Sequence, residues 1–167
     1  MGFTFDDNDK KGIASPVGEM HRLIAKDQRN AERIFPYIGG EEVNDSPTHA
    51  HHRYVINFED FPVRRKETGH SWSRLTEETQ RSQLQEGIVA PDYPGSVAAD
   101  WPDLLQILEE LVRPERIAQK DEYGRRHWWQ FLRTRPDLRR ATGDLSKCIV
   151  LSRIGPCPLR AASVADS

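Results

Sequence analysis

Eleven prolines and eleven glycines punctuate the 167-residue chain. Proline removes a backbone donor and fixes φ, whereas glycine frees it, so regular structure interrupted this often predicts a thin core with sizeable loops. The apolar content agrees: 37% of the residues are hydrophobic against 30% charged, and the mean hydropathy is -0.73. The length still suffices for one domain with its own core. No apolar run approaches the roughly 20 residues of a membrane-spanning helix. The acidic opening Phe3-Thr4-Phe5-Asp6-Asp7 is unlike a signal peptide. Cys148 and Cys157 are the only cysteines and form no Cys-x-x-Cys pair, which excludes a disulfide scaffold and a zinc ribbon. A soluble cytoplasmic protein is the expectation, with no membrane partner.

The net charge of -2 hides an asymmetry. Residues 1–112 carry 12 Lys/Arg against 20 Asp/Glu, a net of -8, and residues 113–160 carry 12 against 5, a net of +7. A basic part within an otherwise acidic chain points toward a polyanion partner.

Residues 1–14 are polar, acidic and without periodicity, and read as an entry arm. Ser15 and Pro16 have the chemistry of an N-cap and a first helical position. Met20, Leu23, Ile24, Ala31 and Ile34 share one face of a lead-in helix that Pro36 ends, so residues 1–33 form one unit. Gly39-Gly40 suits a turn, and Arg53 to Phe58 is the best strand of the chain. Residues 60–100, punctuated by Pro62, Pro91 and Pro94, read as a surface excursion with little core. It holds a short polar helix from Thr76 to Glu86, closed by Gly87. Asp100 is placed to cap the clearest helix, whose stripe is Leu104, Leu105, Ile107, Leu108, Leu111 and Val112. Pro114 kinks that helix or starts a second one. The stretch Glu115 to Leu132 is basic and carries Trp128, Trp129 and Phe131. A short helix over Pro136 to Ala141 and a strand over Lys147 to Ser152 follow, and residues 154–167 read as an aberrant or disordered tail. The fold class expected is α+β, with several helices around a small, incomplete β-sheet.

His49, His51 and His52 stand close enough in sequence to bind zinc or another transition metal. No His-Glu-x-x-His helix, cysteine pair or Asp-x-Asp motif accompanies them, so the favoured reading is that they lead into the strand and form no metal site. Glu41 and Glu42 follow the glycine turn. Neighbours on an extended segment point to opposite faces, which argues against a shared acid–base site. Within Arg125 to Arg133, at least one of Trp128 and Trp129 is expected in the core, while the arginines are the better nucleic-acid candidates. No Pro-Pro sequence occurs, so no Asn/Asp-Pro-Pro-Tyr/Phe loop is present. Nor is there a Gly-x-Gly cofactor loop, a Walker loop or a Gly-x-Ser-x-Gly elbow. No catalytic residue is nominated.

Several blocks together form a recognisable order. They are Met1 to Asp7, Ala14 to Met20, Ile34 to Asn44, Ser46 to Phe58, Ala99 to Leu105, Val112 to Arg116, His127 to Phe131 and Leu145 to Arg153. In order and spacing they resemble the region that follows the catalytic domain of MmeI-like adenine-specific DNA methyltransferases. These are large single chains of the type IIG restriction–modification kind. The resemblance covers nearly all of the chain to Arg153, and its longest block, Pro36-Tyr37-Ile38-Gly39-Gly40-Glu41-Glu42-Val43-Asn44 on to Val55-Ile56-Asn57-Phe58, is specific. It implies the start of a target recognition domain, with residues 34–153 as a partial domain. Such enzymes methylate the N6 amino group of adenine in duplex DNA with S-adenosylmethionine. Their cofactor and base-flipping motifs lie upstream, so this chain is expected to be no enzyme alone and to hold no cofactor. After Arg153 it departs into Gly155-Pro156-Cys157-Pro158 and an Ala/Ser tail, as a truncated or frame-shifted reading frame would.

The partners implied are duplex DNA and a separately encoded methyltransferase chain. Arg113, Arg116, Arg125, Arg126, Arg133, Arg139 and Arg140 are the candidates for phosphate contacts, on charge and helical placement. The alternatives are a small metal-dependent enzyme built on His49, His51 and His52, or a non-functional gene remnant.

Overall fold

A computed structural model describes residues 2–39 and 51–131, together with residues 141 and 143. His49, Glu41, Glu42, both cysteines, Arg133, Arg139, Arg140, the Lys147 to Ser152 strand and the tail lie outside the described residues, as does all but Ala141 of the helix expected over Pro136 to Ala141.

The fold is α+β, with five helices and two small sheets among the described residues. The first strand, β1 (Thr4–Phe5), pairs antiparallel with Tyr54 and Val55, and the Ile56 N–H donates to the Phe3 carbonyl. Phe3 and Phe5 are both buried in the core. The opening segment is therefore structural, which corrects its reading as an arm. A strand of two residues is too short to show the alternation by which strands are recognised.

Helix α1 (Val17–Lys26) follows, with Met20 and Leu23 buried. Its first N–H, that of Val17, is taken by the Asp7 carboxylate, and not by Ser15. It stops at Asp27, well before Pro36. The Asp27 side chain accepts the Arg29 N–H and opens a 3-10 segment, Gln28–Arg33, while the buried Asn30 amide donates to the Leu23 carbonyl. These bonds satisfy end groups that a longer helix would have used internally.

Strand β2 (Ile34–Tyr37) comes next and contains Pro36, which was expected to end a helix. It pairs antiparallel with β3 (Arg53–Ile56), Ile34 opposite Ile56 and Tyr37 opposite Arg53. The sheet order is β1-β3-β2, so Pro36 sits on an edge strand, where a missing donor is tolerated.

Residues 60–100 supply Val63, Ala98 and the Val89–Ala90 pair to the interior, which corrects their reading as a surface excursion. Strands β4 (Arg64–Arg65) and β5 (Ile88–Val89) pair in parallel, Arg64 with Ile88 and Arg65 with Val89. The connection between them contains α2 (Glu77–Glu86). Thr76, expected as its first residue, is instead its cap and accepts the Thr79 N–H, while Gly87 closes it as expected, in the left-handed region with φ 76°.

Trp101 precedes α3 (Pro102–Ile107), and Asp100 lies in the turn before it. Leu108–Val112 then forms a π-helical turn in which the Arg113 N–H reaches back five residues to the Leu108 carbonyl. Pro114 supplies a cause, since its ring would meet the carbonyl four residues back and it has no N–H for an α-helical bond. The chain continues as α4 (Arg113–Ala118) and, after a short break, α5 (Glu122–Arg126), which Asp121 caps through the Gly124 N–H.

Beyond α5 both tryptophans enter the core: Trp128 and Trp129 are buried, and so is Phe131. Phe131 meets Phe3 edge-on at 5.4 Å and Tyr37 at 5.6 Å, so the two ends of the described chain close on each other. The Trp129 indole N–H donates to the Phe61 carbonyl and that of Trp101 to the Arg29 carbonyl, both at 2.8 Å. Each buries a large apolar body with its one polar atom satisfied. Replacing either by alanine is worth about 3–5 kcal/mol. Among the described residues no helix is long and apolar enough to cross a membrane.

Candidate functional site

The four candidate arginines within the described residues have different fates. Arg113 is exposed, and its guanidinium lies 5.4 Å from the Trp128 ring centre. Arg116 is half-buried. It sits over Phe3 at 5.4 Å and donates to the Phe131 carbonyl at 3.3 Å, so it holds the two chain ends together. Arg126 is exposed and paired with Glu122 at 3.1 Å, one helical turn away. Arg125 is exposed, and its side chain makes no hydrogen bond or ion pair among the described residues. Of these four, Arg125 is thus the most available to a partner, Arg126 is held by a surface glutamate, Arg113 shares its face with an aromatic ring, and Arg116 is committed to the fold. Arg33 shows the same commitment more strongly. Its guanidinium lies 5.0 Å from the Phe61 ring and 5.2 Å from that of Trp101, with Glu59 at 3.4 Å.

Of the histidines, His51 meets the Tyr54 ring edge-on at 5.3 Å, His52 is exposed, and His49 lies outside the described residues. Among the described residues no three His, Cys, Asp or Glu side chains stand close enough to hold a metal ion.

Sequence reasoning missed a cleft of about 740 Å³ between α2, the loop before Trp101 and the end of α5. Its walls include Asp60, Phe61, Arg81, Gln85, Tyr93, Ser96, Tyr123, Arg126, His127 and Gln130. One wall is fixed by Arg65. From β4 its guanidinium donates to the Tyr93 carbonyl at 3.2 Å and to the Gly95 carbonyl at 2.6 Å, and it pairs with Asp100 at 2.7 Å. Burial pushes the Asp100 carboxyl up, but the Arg65 guanidinium and the Val97 N–H outweigh it, and the net pKa lies below the usual carboxylate value. The Tyr93 ring is held edge-on to Trp72 at 4.8 Å and lies over Gly95, where a Cβ would come within 2.6 Å of the tyrosine oxygen. Trp72 is held in turn by Asp92, which accepts its N–H at 2.6 Å.

The opposite wall is built on α5. His127 stacks on Tyr123 at 4.3 Å, and its Nε2 lies 3.0 Å from the Gln85 carbonyl in the last turn of α2, where helical carbonyls lack internal partners. The Tyr123 hydroxyl meets Gln130 Oε1 at 3.1 Å. The one sequence signal for this wall is the spacing of Tyr123 and His127, four residues apart on a helix. No signal joins Asp60, Arg81 and Tyr93, which come from three separate segments.

No protein-family model matches the chain, and neither a curated protein nor a solved structure matches it.

Proposed function

We propose that the chain is a DNA-recognition piece of an N6-adenine DNA methyltransferase of the MmeI-like kind. In this reading it contacts duplex phosphates through the basic segment that begins at Arg113. The observation that carries the reading is Arg125, exposed and without a side-chain partner among the described residues, next to Arg126, which among those residues pairs with a surface glutamate. An exposed ion pair of that kind is worth little and gives way to a phosphate. Arg113 joins them, and Arg133, Arg139 and Arg140 belong to the same basic stretch of sequence. Arg116 leaves the contact set, because its guanidinium is occupied within the fold. The sequence resemblance supplies the chemistry around the contact. S-adenosylmethionine and the flipped adenine would be held by a separately encoded methyltransferase chain, in the cytoplasm where the DNA is, and this chain performs no methyl transfer alone.

Phosphate contacts displace condensed counterions, so binding of the purified chain to a labelled duplex should weaken steeply as salt rises. The expected slope of log K against log salt is roughly -3 to -5 for a few contacts. Arg125→Gln should reduce that slope by about one, with the same change on any duplex sequence. Binding that ignores salt, or a slope unchanged by Arg125→Gln and Arg126→Gln together, defeats the reading.

A further inference from the structure

The cleft carries a pattern of charge that the fold does not use. Asp60 and Arg81 both line it, both are exposed, and the side chain of neither makes a hydrogen bond or ion pair among the described residues. They are not paired with each other either. A ligand that satisfies both needs an anionic end for the guanidinium and a hydrogen-bond donor for the carboxylate. Two tyrosines share the lining with them, Tyr93 presented by the loop that Arg65 anchors and Tyr123 stacked with His127 at α5.

We propose that this cleft binds a nucleoside monophosphate unit whose base bears an exocyclic amino group. The phosphate would pair with Arg81, with Arg126 on the same rim exchanging Glu122 for it. The base would stack on a tyrosine and donate its amino group to Asp60. Uracil presents a carbonyl oxygen where cytosine presents the amino group, and a carboxylate repels it. The volume suits one such unit, since sites for molecules of this size run about 300–1,000 Å³. The walls are also set in advance: Tyr93 by Trp72, Gly95 and Arg65, and Tyr123 by its contacts with His127 and Gln130. Little ordering remains to oppose binding. The inference does not depend on duplex binding, since Arg125, the main duplex candidate, does not line the cleft.

The test is calorimetric titration of the full chain with adenosine, cytidine, guanosine and uridine 5′-monophosphates, with inorganic phosphate, and with a short single-stranded oligonucleotide. The three amino-bearing nucleotides should bind one to one, uridine monophosphate more weakly, and phosphate alone not measurably. Arg81→Ala should weaken binding about tenfold or more, as loss of a charged hydrogen bond does, and Arg81→Lys should restore part of it. Asp60→Asn should remove the preference over uridine monophosphate, weakening the amino-bearing nucleotides and strengthening uridine monophosphate, whose carbonyl then meets no carboxylate. Both side chains are exposed, so circular dichroism of the variants should match the parent. An oligonucleotide that binds more tightly than the mononucleotide identifies the ligand as a residue of a strand, whereas equal affinity identifies a free nucleotide. Nucleotide binding retained in Arg125→Gln while duplex binding falls separates this site from the duplex contact. Absence of saturable nucleotide binding at millimolar concentration, heats equal to those of phosphate alone, or affinities unmoved by both Arg81→Ala and Asp60→Asn would overturn the assignment.

Discussion

The indole of Trp129 lies directly against Gly87: a Cβ at position 87 would stand 2.6 Å from Trp129 Cζ2 and closer still to Cη2. The same glycine ends α2 with φ 76°, and its carbonyl accepts the N–H groups of Val63 and Arg64 at the start of the parallel strand pair. One residue thus stops a helix, begins a sheet and seats a core tryptophan.

Gly87→Ala should therefore cost more than a helix cap alone. The left-handed backbone costs an ordinary residue roughly 1–2 kcal/mol, and crowding of a packed ring adds about 1–3 kcal/mol. Denaturant unfolding followed by tryptophan fluorescence should show a loss of about 2–5 kcal/mol. In a Trp129→Phe background the same substitution should cost less, because the atoms it meets are gone. Equal costs in the two backgrounds would show that the ring contact contributes nothing.

Arg65 should behave as the anchor of the cleft wall. Arg65→Met keeps the length of the stem but removes the bonds to Tyr93, Gly95 and Asp100. A loss on the order of 1–3 kcal/mol is expected for charged hydrogen bonds that are half-exposed. Amide exchange at Tyr93 to Val97 should quicken more than exchange in α1, and nucleotide affinity should fall with it. Uniform quickening across the chain would assign Arg65 a global role in place of a local one.

Asp9 gives the acid response a local origin. Its carboxylate accepts the N–H groups of Ala14, Lys11 and Ile13, which hold its pKa at about 2. A carboxyl lowered in the folded state favours folding above the ordinary value near 4 and loses that contribution as pH falls toward 2. Protection of the Lys11, Ile13 and Ala14 amides, relative to free peptide at the same pH, should fall within that window, and Asp9→Asn should show reduced protection there already at neutral pH. Unchanged protection factors at those three amides between about pH 5 and pH 2 would contradict it.

Legibility from sequence followed the range of the forces involved. Helix α2 was visible because Gly87 stops it locally, and α3 with the π-helical turn after it because apolar residues recur along them, although Leu111 of that stripe is exposed. The end of α1 was not, since Asp27 and Asn30 compete with the helix through side-chain bonds that no periodicity records. Strands of two residues, such as Thr4–Phe5 and Arg64–Arg65, carry too little pattern to be seen. Arg113, Arg116, Arg125 and Arg126 were nominated by charge, but charge does not reveal that a carbonyl of Phe131 occupies Arg116. The cleft was invisible for a similar reason: Asp60, Arg81 and Tyr93 line it from three separate segments, and the Tyr93 wall is set by Arg65, which pins the loop between β5 and α3.

The edge-on contact between Phe3 and Phe131 sets an order of events during synthesis. A ribosome makes the N-terminal strand first, yet the ring that covers Phe3 is among the last described parts of the chain to emerge. Until then Phe3 has no permanent neighbour on that side, and Arg116, which lies over it, has no Phe131 carbonyl to bond. Chains grow at about 5–20 residues per second, so the Phe3 ring waits several seconds or more for its partner. Closure of the core around Phe3 thus waits until synthesis has passed residue 131.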